Sequence, residues 1–144
     1  MTGPEKLSLV VFSGGFDRVH YALVMASACA ASNRAATLFF TGRAVLALAR
    51  PDDAGRPGWH RLDPADDGAT PAERDAGFAA RGLATMEELL EACAALGVSV
   101  MVCEMALKAI DLTVEDLRDD IPATRAGVVS FLNDAPQQGG LLFV

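Results

Sequence analysis

Three short apolar runs constrain the fold of this chain more than any other feature of its sequence. They cover residues 7–12, 36–41 and 98–102, and each contains branched or aromatic side chains with few polar residues between them. Continuous apolarity over so short a run is typical of strands that are buried on both faces. A further apolar run at 141–144 is expected to form the last strand.

Segments with helical character separate these runs. Asp17 is expected to cap a helix over 18–32, because its carboxylate can accept from the free amides of the first turn. Thr85 and Glu88 form a capping box that begins a helix running to about Leu96. Buried strands that alternate with helices predict an α/β fold, in which a doubly wound parallel sheet is covered on both sides. Shorter helices are expected over 42–49, 104–110, 113–116 and 126–135.

The length of the chain suits one domain. Its 144 residues are enough to bury a substantial core, and we expect residues 1–144 to form a single domain. Within it, residues 50–82 are dominated by Pro, Gly, Asp and Arg and show no periodicity. This segment is predicted to be a loop-like insertion, with room for a short helix around 71–80. A loop of this length in a compact domain is usually functional or disordered.

The charge and the cysteine count disfavour several classes of partner and location. The net charge of −7 opposes binding to nucleic acid and to anionic membrane surfaces. No segment reaches the roughly 18 unbroken apolar residues of a spanning helix, and residues 1–6 lack the pattern of a signal peptide. Three widely spaced cysteines do not resemble a secreted disulfide framework. We therefore expect a cytoplasmic protein.

Reactions in open α/β sheets gather at the carboxyl ends of the strands. If the first and third strands were neighbours, as in the common doubly wound order, Ser13, Gly14 and Cys103 would share one crevice. The side chains expected at or near these strand ends are those of Ser13, Thr41, Cys103, Glu104 and Met105, beside the backbone of Gly14.

Cys103 is the strongest candidate for chemistry. A cysteine immediately before a helix lies near free amides and the positive end of the helix dipole, which favour the thiolate. The neighbouring Glu104 opposes this effect, and Lys108 is five residues on, so it is not clearly on the same helical face. The residues alone leave two interpretations open, a reactive thiol and a packed core cysteine. Cys29 and Cys93 are expected to be core packing.

Other motifs are weaker. His20 lies one turn into the first helix, where it would act as a base over the crevice or form a helix-surface or subunit contact. Residues 13–17 follow a strand and open a helix but fit neither a dinucleotide nor a Walker motif. The sequence has no C-x-x-C pair, which disfavours thioredoxin-type exchange and structural zinc. We therefore predict no cofactor and no metal.

Several segments together resemble the DsrE/DsrF-like family of sulfur-relay proteins. The most specific is a strand-ending cysteine followed by Met and then a small residue, which Cys103, Met105 and Ala106 match. Asp111 departs from the pattern, because relatives often have Gly after the short helix. The segments that carry the resemblance to this family are F-S-G-G-F-D with the Ala-rich helix after it, T-L-F-F-T, T-M-E-E-L-L-E-A-C-A-A-L-G-V, V-C-E-M-A-L-K-A-I-D-L, and A-G-V-V-S-F-L followed by L-L-F-V.

The resemblance implies a flavodoxin-like three-layer αβα sandwich with a mainly parallel sheet, and assembly into homo- or hetero-oligomers. It implies a sulfur carrier rather than a multiple-turnover enzyme: Cys103 would hold a persulfide and pass its outer sulfur to a partner thiol. Partners would be rhodanese-type sulfurtransferases or TusA-like carriers. Two alternatives stay open, a non-catalytic binding or scaffold subunit and a thiol redox sensor. The pocket is expected to include Ser13, Gly14, His20, Thr41, Glu104 and Met105.

Overall fold

A parallel sheet forms the centre of the molecule in the computed structural model, which describes residues 3–144. Its strands are β1 (Lys6–Val11), β2 (Ala35–Phe40), β3 (Ser99–Cys103), β4 (Thr124–Ala126) and β5 (Gly140–Phe143). All neighbouring pairs are parallel, and the order across the sheet is β4-β3-β2-β1-β5.

Helices and 3₁₀ turns connect the strands. The α-helices are α1 (Phe16–Ala31), α2 (Pro71–Ala80), α3 (Met86–Ala95), α4 (Glu104–Ala109) and α5 (Val128–Asp134), and the 3₁₀ helices are Gly42–Leu48, Gly58–Arg61 and Val114–Asp116. This arrangement confirms the predicted flavodoxin-like αβα fold. It also confirms the helix expected within 126–135, which is the crossover from β4 to β5.

The two faces of the sheet carry different helices. The chain crosses the sheet in one direction from β1 to β4 and returns in a single step to β5. Right-handed crossovers therefore put α1 and α3 on one face and α5 on the other. On the α1 side, Leu9, Val11 and Phe40 are fully buried. On the other side, the Phe39 ring stacks on Phe131 of α5 with centroids 4.9 Å apart.

The predicted starts of the helices are right with two exceptions, α1 and α5; the helix expected from residue 126 begins at Val128, because Ala126 belongs to β4. The capping box of α3 is present, since Thr85 accepts from the Glu88 amide and Glu88 accepts from the Thr85 amide. The prediction that Asp17 caps α1 is wrong, because the helix begins earlier, with Gly15 as its N-cap. The amide of Phe16 donates to the Asp63 carbonyl at 3.2 Å, which fixes this earlier start.

Two non-glycine residues adopt left-handed backbone angles at helix ends. Asn33 has φ +61, which confirms the prediction that it ends the first helix. Asp111 follows α4 with φ +57. Only Gly adopts this conformation without a steric cost, which explains why Gly would suit the position that Asp111 occupies here.

The order of the strands corrects one expectation. β2 lies between β1 and β3, so the first and third strands are not neighbours. The prediction that Ser13 and Gly14 share a crevice with Cys103 through adjacent strands is therefore wrong. The sequence prediction also missed β4, whose three residues, Thr124–Ala126, are too short and too polar to be recognised as a strand.

The segment 50–82 is more ordered than a loop-like insertion. It contains the turn Gly58–Arg61 and α2, which begins where the Thr70 side chain accepts from the Glu73 amide at 3.2 Å. Trp59 is buried and donates through Nε1 to Glu87 on α3 at 2.8 Å. The segment thus contacts the core through buried residues such as Trp59 and Leu62, while residues 50–56 are exposed to solvent.

Candidate functional site

Cys103 lies at the point where a strand becomes a helix. It is the last residue of β3 and the N-cap of α4, with an extended backbone (φ −74, ψ 122) and no capping hydrogen bond from its side chain. It is 5% exposed. Cys103 is two residues after Met101, which pairs with Phe39, so the side chains of all three point to the face of the sheet that α5 covers.

A groove of about 430 Å³ runs beside this thiol. It exists because β3 and β4 end together, with Cys103 opposite Ala126, and each strand is followed by a short helix. Open space lies beside Gly127, since a Cβ at this position would meet no atom within 4 Å. The lining residues are Cys103, Glu104, Met105, Lys108, Gly127 and Val128.

The charges around the groove are partly balanced. Glu104 lies 3.3 Å from Arg125, so the carboxylate next to Cys103 is opposed by a cation from β4. Both side chains are more than half exposed, so solvent weakens this pair. Lys108 lines the same groove as Cys103, so the two residues lie on the same side of α4. Among residues 3–144, Lys108 has no ion-pair partner.

Two of the other predicted pocket residues, Glu104 and Met105, line this groove. Ser13, Gly14 and Thr41 are not among its lining residues. Instead, the Ser13 hydroxyl accepts from the Gly15 amide at 3.1 Å, and Gly14 packs closely against Arg43 and Asp63. All three lie just after β1 or β2, and Gly14 also accepts from the Asp63 amide of the insertion at 2.8 Å.

His20 is separated from Cys103 by the sheet, because it lies on α1. It is neither a helix-surface residue nor a base beside the groove: only 8% of it is exposed, and its Nε2 is 2.9 Å from the Ala84 carbonyl oxygen. The Phe78 ring packs 4.5 Å from the imidazole. His20 therefore helps to hold α2 and the segment before α3 against α1.

The other two cysteines, Cys93 and Cys29, take part in the packing of the chain. Cys93 is buried, and burial raises the pKa of its thiol to about 11, so it is protonated at neutral pH. Cys29 is half-buried, and its Sγ donates to the Ala35 carbonyl at 3.4 Å. Cys103 is thus the cysteine that borders a groove.

The sequence prediction left the position of Lys108 open and missed Gly127, Val128 and Arg125 as neighbours of Cys103 and Glu104. Arg125 and Gly127 belong to β4 and the turn after it, so recognising that strand is the signal that was lacking. Within residues 3–144, no group of three or more His, Cys, Asp or Glu side chains is placed to hold a metal ion. No helix in the described part of the chain is both long and apolar enough to cross a membrane.

The fold and this groove define a class: parallel αβα proteins with a thiol at the carboxyl end of an inner strand. Residues 67–143 match the model of the DsrE/DsrF/DrsH-like family, and the chain belongs to that family. This confirms the resemblance drawn from the sequence.

Individual relatives and solved structures are similar to the chain over nearly its whole length. The chain is 25% identical to the uncharacterized protein YrkE of Bacillus subtilis over 159 aligned positions, which cover 97% of each protein. Among solved structures, the chain resembles YchN of E. coli (TM-score 0.59, 15% identity, covering 96% of this chain and 99% of that one). It also resembles MTH1491 of Methanobacterium thermoautotrophicum, a protein of unknown function (TM-score 0.56, 12% identity, covering 96% and 98%).

Proposed function

We propose that this protein is a sulfur carrier that holds a persulfide on Cys103. Membership of the DsrE-like family suggests a role in sulfur relay in general. The observation that supports the specific proposal is the groove, since it brings open space to the thiol of Cys103 and to no other cysteine of the described chain.

The transfer needs no external oxidant or reductant. The Cys103 thiolate attacks the outer sulfur of a donor persulfide, R–S–SH, so that a new S–S bond forms and the donor leaves as R–S⁻. An acceptor thiolate then attacks the outer sulfur of Cys103–S–SH, and Cys103 leaves as a thiolate. Each step moves one sulfur atom, which describes a carrier rather than a multiple-turnover enzyme.

The groove offers these steps local electrostatic support. α4 begins directly after Cys103, so the partial positive charge of its first amides lies close to this residue, although its side chain accepts no hydrogen bond from them. Lys108 adds a cation at the groove, and Arg125 opposes the charge of Glu104. Met105 and Val128 supply an apolar rim on which a protein partner can rest while its thiol enters.

The test is the mass of the protein after exposure to a persulfide donor. We expect the reduced protein to gain one or more sulfur masses, mapped to Cys103 and removed by reductant. Cys103→Ser should abolish the gain, while Cys29→Ser, which changes the half-buried thiol on α1, should retain it. Full loading of the Cys103→Ser protein would show that the proposal is wrong.

The low exposure of Cys103 favours one alternative, a scaffold subunit without a covalent step. In that case Cys103 would be slow to alkylate in the folded protein and would gain no sulfur. Cys103→Ala would then bind its partner as the wild type does, whereas a carrier needs the sulfur atom for exchange.

The partners and location follow from the same proposal. A rhodanese-type sulfurtransferase or a TusA-like carrier would supply or accept the sulfur, and copies of this chain would associate. We place the protein in the cytoplasm, where reducing conditions keep thiols such as its three free cysteines unpaired.

A further inference from the structure

The groove beside Cys103 contains a positive charge that the described part of the chain leaves unpaired. Its charged lining residues are Glu104 and Lys108. Glu104 is paired with Arg125 at 3.3 Å, whereas Lys108 has no ion-pair partner among residues 3–144. Two cations therefore meet one carboxylate here, in a chain whose net charge is −7. An excess of positive charge in a cleft raises the local concentration of anions.

A second cavity, of about 340 Å³, borders the groove. Glu104 and Lys108 line both cavities, so these two side chains lie between them. The second cavity also contains Arg125 and a further carboxylate, that of Glu115, which is not among the lining residues of the groove. An anion that approaches Lys108 is therefore opposed less on the side of the groove, which is also the side of Cys103.

The depth of the thiol favours a small sulfur donor. Cys103 is 5% exposed, so the outer sulfur of a donor must enter the groove to be attacked. The groove volume of about 430 Å³ falls in the range of small-molecule sites, about 300–1,000 Å³. Once Cys103 is loaded, its reactive outer sulfur lies one S–S bond, about 2 Å, farther from the backbone. The loaded sulfur is then easier for a protein to reach, which makes the protein partner the acceptor.

We propose that the sulfur donor is a low-molecular-weight persulfide that carries a carboxylate, and that Lys108 binds this carboxylate. The ammonium donates charge-assisted hydrogen bonds to it, which hold the outer sulfur of the donor beside Cys103. The Cys103 thiolate attacks that sulfur, a new S–S bond forms, and the donor leaves as a small thiolate with the electron pair of the broken bond. The identity of the donor rests on the proposed function, whereas the preference of the groove for anions does not.

Two thiol reagents that differ in charge measure this preference. Methanethiosulfonates with an ethylsulfonate or an ethyltrimethylammonium tail both transfer their thioalkyl group to a thiolate and release methanesulfinate. At low ionic strength, we expect the ratio of the anionic to the cationic rate at Cys103, from peptide mass mapping, to fall several-fold in Lys108→Gln. The matched control is Arg81→Gln, which removes one exposed cation after α2 and should keep the wild-type ratio. Cys29 is the internal reference, and its ratio should stay constant.

Three results of this measurement would overturn the proposal. They are an unchanged ratio in Lys108→Gln, an equal fall in Arg81→Gln, and a Cys103 that reacts with neither reagent. Because neither reagent is a persulfide, these results are independent of whether the protein carries sulfur.

The class of donor is tested with the persulfides of N-acetylcysteine, which has one carboxylate, and of its uncharged amide. At concentrations well below saturation, we expect the carboxylate form to load Cys103 several-fold faster, and Lys108→Gln to remove the difference. Equal loading of the wild type by both would reject a carboxylate-bearing small donor and favour a protein donor. Loading by neither would overturn the donor assignment together with the proposed function, while the preference of Lys108 for anionic reagents would stand.

Discussion

Arg118 offers a quantitative test of how the insertion is held. Its guanidinium makes paired hydrogen bonds to Glu87 at 2.9 and 2.7 Å and to Asp120 at 2.7 Å each. Glu87 also accepts from Trp59 of the insertion. These contacts lower the pKa of Glu87, with Arg118 as the main cause, and raise the pKa of Arg118. One cation therefore joins the segment after Val114–Asp116 to α3 and, through Glu87, to Trp59.

We expect Arg118→Met to destabilise the protein by about 2 kcal/mol. Breaking a buried ion pair costs about 3–5 kcal/mol. Arg118 is 11% exposed, but Glu87 and Asp120 are 37% and 56% exposed and regain water when the cation is lost. The cost therefore lies below that range. For a chain of this size, it corresponds to a fall in melting temperature of about 6–8 °C.

Chemical denaturation at pH 7 measures this change, and Arg50→Met is its matched control. Arg50 makes the same paired contact, to Asp119 at 3.0 and 2.9 Å, but on an exposed surface. We expect the control to leave the unfolding midpoint unchanged. Arg118 lowers the pKa of both Glu87 and Asp120, so its contribution to stability is lost as the pH falls below about 4 and these carboxylates become protonated. The effect of Arg118→Met should therefore shrink in that range. Equal losses in the two variants would refute the argument from burial.

Two further substitutions test buried or strained positions. Burial is the main cause that raises the pKa of Asp75, so the wild type should lose stability relative to Asp75→Asn as the pH rises above 3.8, the ordinary pKa. Unfolding of both proteins between pH 3.5 and 7 checks this, and a constant difference would contradict it. Asp111→Gly should raise the free energy of unfolding by up to about 1 kcal/mol, since Gly relieves the cost of φ +57. A less stable variant in chemical denaturation would show that Asp111 makes a compensating contact.

The parts of the fold that local physics determines were predictable from the sequence. The three apolar runs form inner strands because a continuous apolar segment is stable only when both of its faces are buried. The Thr85–Glu88 capping box starts a helix because its two partners lie within one helical turn. β4 was not predictable in this way, since Thr124–Ala126 is a strand through its pairing with β3 rather than through its own composition. Asp17 was misassigned because its carboxylate is used by Asp66 and Arg74 of the distant insertion.

The candidate site likewise combines a feature set by the local sequence with features set by the order of the strands. The position of Cys103 at a strand end follows from the chain around it, but its neighbours depend on which strand lies beside β3. That strand is β4, so the groove is formed with Gly127 and Val128 rather than with Ser13 and Gly14. Because β4 is the last strand on its side of the sheet, the thiol lies near an edge of the sheet, where the short helices that follow β3 and β4 leave the groove beside it.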